Sequence, residues 1–76
     1  MEPRNLNKSE RREIAKLQTY LRHPQGPALA ARSLAALHRA ASRRSQDEIE
    51  NVIGAWGLWG FLDVLPGNGI VPKAGG

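Results

Sequence analysis

Three stretches of the chain repeat apolar residues at helical spacing. Within residues 8–22 the stripe is Ile14, Leu17 and Leu21, at i, i+3 and i+7. Within 27–44, Ala30, Leu34, Leu37 and Ala41 share one side of a helix, and Arg32, Arg39 and Arg43 share the opposite side. Within 46–56, Ile49, Val52, Ile53 and Trp56 line up in the same way. A shorter set, Leu58, Phe61, Leu62 and Leu65, predicts a short fourth helix over 58–65. No apolar–polar alternation is long enough to predict a sheet. The pattern predicts an all-α fold in one domain over 1–76, a small bundle of three main helices (about 8–22, 27–44 and 46–56) plus the short fourth. One core is expected from Ile14, Leu17, Leu21, Leu34, Leu37, Ile49, Val52, Ile53, Trp56 and Leu62.

Local punctuation sets the boundaries. Asn7-Lys8-Ser9-Glu10 has the form of a capping box that starts the first helix. Pro24 ends it, because the residue before a proline, His23, is pushed out of the helical region. A loop follows, and Pro27 suits the first position of the second helix. Ser45-Gln46-Asp47-Glu48 reads as a second capping box and predicts a new helix there. The alternative is one continuous helix over 27–56, since neither Gly nor Pro separates the two segments. Gly57 stands where a left-handed helix cap belongs. Pro66-Gly67-Asn68-Gly69 signals a turn, after which Ile70-Val71-Pro72 is an extended piece that docks. Residues 1–6 and the end of 66–76 read as tails.

Composition narrows the chemistry. The 76 residues contain no cysteine, which excludes disulfides, thiolate metal sites and a cysteine nucleophile. The two histidines, His23 and His38, sit on different elements, and neither has an acid or a second His at i+3 or i+4. Neither a metal site nor a cofactor is expected from them. His23 reads as loop, and His38 as a half-exposed packing residue beside the second stripe. Ser9, Ser33, Ser42 and Ser45 lack a Gly-x-Ser-x-Gly setting, and Asp47, Glu48 and Glu50 read as a solvated first turn. No catalytic residue is expected. The polar start and the short apolar run at 52–62, well under the roughly 20 residues a bilayer needs, point to a cytoplasmic protein that is not an integral membrane protein.

Charge is segregated. Residues 1–44 hold ten bases against three acids, a balance of +7, and residues 45–76 hold one base against four acids, a balance of −3. Trp56, Trp59 and Phe61 fall within six residues of the acidic half, among Gly54, Gly57 and Gly60. Tryptophan clustered this tightly points to a binding surface. The expectation is a non-enzymatic helical interaction protein, of inhibitor or adaptor type, such as a small bacterial or phage accessory protein. Its partner would be a larger protein with an acidic or apolar surface, met through Trp59 and Phe61 with Arg32, Arg39, Arg43 and Arg44. A second copy of the chain is a further candidate, through residues 56–65. The rival expectation is a nucleic-acid-binding module that places Arg11, Arg12, Lys16, Arg32, Arg39 and Arg43 on phosphates.

Overall fold

The computed structural model describes residues 6–67 and 69–73; the tail positions 1–5 and 74–76, and Asn68 of the turn, lie outside the described residues. Three helices carry the chain: α1 (Lys8–Gln18), α2 (Gly26–Ala40) and α3 (Arg43–Ala55). Two short strands follow, β1 (Leu62–Val64) and β2 (Ile70–Pro72), paired antiparallel with Asp63 opposite Val71. The helical class is the expected one, with a small hairpin added.

The first helix starts on the expected capping box. The Glu10 N–H donates to Asn7 Oδ1 at 2.8 Å, and the Asn7 N–H donates to Glu10 Oε1 at 2.9 Å. The α-helix stops at Gln18, short of the expected end near 22, and tightens into a 3-10 turn over Thr19–Arg22. Thr19 marks the change: its hydroxyl donates to the Lys16 carbonyl at 2.7 Å, a local bond that competes with the helical ladder. His23, before Pro24, is extended at φ −95° and ψ 151°, as the proline demands. Gly26 is then buried with its α-carbon against the Tyr20 carbonyl, where a Cβ would collide with backbone.

The second helix buries Ala30, Ala31, Leu34, Ala35 and His38. Relative to the expected stripe this face is rotated by roughly 60°, at 100° per residue. The reason is a second neighbour. α1 packs on one flank of α2, while α3 and the hairpin pack on the other, so the buried arc is wide and turned toward the hairpin. Leu37 and Ala41 remain half-buried.

Helices 2 and 3 are separate, and the break lies earlier than Ser45. α2 ends at Ala40, and Ser42 is the cap of α3, its side chain accepting from the Ser45 N–H at 3.3 Å. Ser45 itself is buried, because it shares the i, i+4, i+8 phase of Ile49 and Ile53 and so points into the core. The reading of Ser45 as the cap, and the second helix extending to Arg44, are therefore corrected.

The third helix closes on a complete left-handed cap. Gly57 has φ +70°, its N–H donates to the Gly54 carbonyl at 3.1 Å, and the Leu58 N–H donates to the Ile53 carbonyl at 2.9 Å. This folds Leu58 back onto Ile53, both fully buried. The fourth helix over 58–65 does not form. Only Trp59–Phe61 makes a 3-10 turn, and Leu62 leaves it extended at φ −131° and ψ 151°. β-branched Val64 favours a strand. Pro66 bars helix at Leu65, and Gly67 at φ +87° turns the chain back. Ile70 then docks, buried, as expected of an extended piece.

The core joins Leu17, Leu34, Ile49, Ile53 and Leu62 with Leu58, Ile70 and the small residues Ala30, Ala31 and Ala35. Leu6, read as tail, belongs to it; Ile14, Leu21, Leu37, Val52 and Trp56 pack half-buried at its margin. Two substitutions test this packing. Leu34→Ala is predicted to cost about 2–5 kcal/mol in urea unfolding, and a loss below about 1 kcal/mol would mean Leu34 is not in a close-packed core. Gly26→Ala is predicted to destabilise, despite the roughly 1 kcal/mol by which alanine is the better helix former, because of the Tyr20 carbonyl. An unchanged or raised midpoint would contradict that close approach.

Candidate interaction surface

The cap at Gly57 determines which aromatics face solvent. By folding Leu58 inward it leaves the next residues outside. Trp59 is 36% exposed, Phe61 43%, Val64 62% and Leu65 46%. Four of the five exposed large apolar side chains among the described residues thus fall in seven consecutive positions; the fifth is Leu29 on α2. Trp59 is partly shielded by α3, since a Cβ at Gly54 would lie 3.4 Å from its Nε1. Trp56 is half-buried against the core. The sequence does not mark Val64 and Leu65 as surface residues, because a helix over 58–65 turns Leu65 inward.

The arginines divide differently from the predicted stripe. Arg32 and Arg39 stand exposed two turns apart on α2, but Arg43 and Arg44 belong to the first turn of α3, beyond the break. The three-residue stripe of Arg32, Arg39 and Arg43 is therefore interrupted by the chain turn at Ala41–Ser42. In its place is a basic corner of Arg39, Arg43 and Arg44. No acid accompanies Arg43 and Arg44 in the first turn of α3. None of these three arginines forms an ion pair among the described residues. Arg11, Arg12 and Lys16 are exposed on α1, with Arg12 and Lys16 one turn apart.

One polar cluster ties this corner to the fold. His38 is only 1% exposed, and its Nε2 lies 2.9 Å from Glu50 Oε2, whose side chain is 40% exposed. A carboxylate can only accept, so the imidazole proton sits on Nε2 in this contact. Gln46 Nε2 donates to the His38 carbonyl at 2.9 Å, which also accepts the Ala41 N–H at 3.2 Å at the end of α2. His38 is thus a buried link between α2 and α3, not a half-exposed packing residue. Glu50 is its partner rather than part of a solvated turn. The signal in the sequence is the i+4 series Ala30, Leu34, His38, which places the histidine on the inner face.

Beside this cluster runs a groove of about 380 Å³, between the α2–α3 corner and the hairpin. Arg39 and Gln46 lie on one side, and Leu65, Gly67, Gly69 and Val71 on the other; among the described residues none that lines it is acidic. Leu65 belongs both to the groove and to the exposed apolar segment. Among the described residues no three acidic, histidine or cysteine side chains gather as metal ligands would. No helix is long and apolar enough to cross a membrane. Comparison of the chain with protein families, with characterised proteins and with solved structures finds no match.

Proposed function

We propose that this chain is a non-enzymatic interaction module of the cytoplasm, which binds a larger protein through residues 59–65 and modulates it. One observation carries the reading: Trp59, Phe61, Val64 and Leu65 are all exposed in one short segment. Fully burying a large apolar side chain releases on the order of 1.5–3 kcal/mol, and these four still expose 36–62% of their surface, so covering them together recovers a sizeable part of that sum. The basic corner next to the groove favours a partner whose surface is apolar with acidic surroundings.

Two outcomes are predicted. Immobilised wild-type chain should retain one or a few proteins from a lysate of its source cell that Trp59→Ala/Phe61→Ala fails to retain, with the circular-dichroism melt of the double variant close to wild type. Identical captured sets for the two chains would end this reading.

The second reading, phosphate binding, is favoured by the unpaired arginines of the corner and by Arg12 and Lys16. It separates by salt. Neutralising four to six phosphates of duplex DNA makes affinity fall by some 10²–10³ between 50 and 200 mM salt, whereas apolar burial is barely screened. The protein-binding reading predicts affinity for duplex DNA or single-stranded RNA of about micromolar or weaker at 150 mM salt, all of it lost in Arg39→Ala/Arg43→Ala. Tight, sequence-selective binding that survives high salt would put nucleic acid first.

A further inference from the structure

The exposed segment and the groove are distinct surfaces that share only Leu65, and the groove has a chemistry of its own. Its α-helical side carries Arg39, an exposed guanidinium with no acidic partner among the described residues. Gln46 spends its amide N–H on the His38 carbonyl and leaves its amide oxygen without a partner among the described residues. The opposite side is apolar, with Leu65 and Val71. Between them Gly67 and Gly69 bring bare backbone to the surface; a Cβ at Gly67 would touch nothing within 4 Å. Among the described residues no carboxylate lines the groove, and Arg39 is the one Lys or Arg in its lining.

We infer that this groove takes an extended acidic peptide segment of the partner, with a carboxylate on Arg39 and an apolar side chain against Leu65 and Val71. Charge complementarity selects the occupant. A planar guanidinium receives a carboxylate through two parallel hydrogen bonds. Gln46 stands in the first turn of α3, so the positive pole of that helix lies on the same side of the groove as Arg39. The free Gln46 amide oxygen is an acceptor for a peptide N–H, and the glycines let a main chain approach closely. A basic or purely apolar segment would leave Arg39 and Gln46 desolvated without partners, which is costly. The inference rests on the protein-binding reading above and names the class of segment recognised.

The test is a selection from a random heptapeptide library displayed on phage, followed by fluorescence anisotropy with the selected peptide at 150 mM salt. Enriched peptides should carry at least one Asp or Glu within two or three residues of an aliphatic or aromatic residue. Arg39→Gln should weaken binding by tenfold or more. Arg12→Gln, which removes the same charge from α1, should change it less than twofold. Trp59→Ala should leave peptide affinity unchanged, since Trp59 does not line the groove. The two readings therefore fail separately: loss of lysate capture with Trp59→Ala concerns the aromatic segment, and loss of peptide with Arg39→Gln concerns the groove. Absence of enrichment, enrichment of basic or uncharged peptides, or equal weakening by Arg12→Gln would overturn the inference. So would an Arg39-dependent complex with a single-stranded RNA twelve-mer in the absence of any selected peptide, which would assign the corner to phosphates.

Discussion

Every other element of this chain packs on α2, and α2 can serve as that hub because its inner face is made of small residues. Ala30, Ala31 and Ala35 are fully buried, and Leu34 is the one large aliphatic among them. A helix with bulky side chains all along this arc would hold its neighbours farther away, and a chain of this length has too few large residues to fill the gaps. With alanines at the contact, α1, α3 and the hairpin all approach the same helix. Gly26 extends the rule to the helix start, where the turn after α1 meets α2 backbone to backbone. The architecture is thus a matter of close approach to one helix more than of a large apolar core.

Close approach has a polar counterpart at the other end of α2. A helix end leaves carbonyls that need partners. Here the His38 carbonyl accepts from Gln46 and the His38 ring bonds Glu50, both on α3. These two contacts pin α3 to α2 just after the Ala41–Ser42 turn. They also tie the basic half of the chain to the acidic half without using any of its lysines or arginines. Arg39, the residue after His38, lines the hairpin groove, and Arg43 and Arg44 follow beyond the turn.

Sequence reading recovered the features that depend on near neighbours. The Asn7–Glu10 box, the extended His23 before Pro24 and the left-handed Gly57 each follow from a few adjacent residues and stand where expected. It missed features decided at long range. On local sequence Ser45, with Glu48 three residues on, is the better cap; the burial of position 45, in phase with Ile49 and Ile53, decides for Ser42. Of the hairpin, the turn and the extended Ile70–Pro72 are legible, but β1 is not, because its three residues fit a helical stripe as well and are extended only through pairing with β2 and docking on α2. The same docking explains why the buried arc of α2 is rotated from the stripe of largest residues, and why His38 is inside. For the candidate surface, Trp59 and Phe61 stood out through aromatic clustering alone. Leu65 and the division of the arginines needed the helix break and the hairpin to be known.

The hairpin is where fold and surface meet. Residues 57–65 alternate between serving the core and leaving it: Leu58 and Leu62 are buried, while Trp59, Phe61, Val64 and Leu65 are exposed. A segment under selection for stability alone would gain from polar residues at the outer positions, since exposed aromatics add aggregation risk without packing benefit. Arg43 and Arg44 break a local rule as well, because cations in the first turn of α3 oppose its helix dipole. Both departures adjoin the same groove from opposite sides, through Leu65 of the apolar segment and through Gln46, which shares the first turn of α3 with Arg43 and Arg44. Places where a sequence forgoes local stability tend to be places where it does something else. The coincidence of an unfavourable charge pattern and an unfavourable apolar pattern at one groove is the strongest physical reason to locate binding there rather than on α1, whose capping box breaks no such rule.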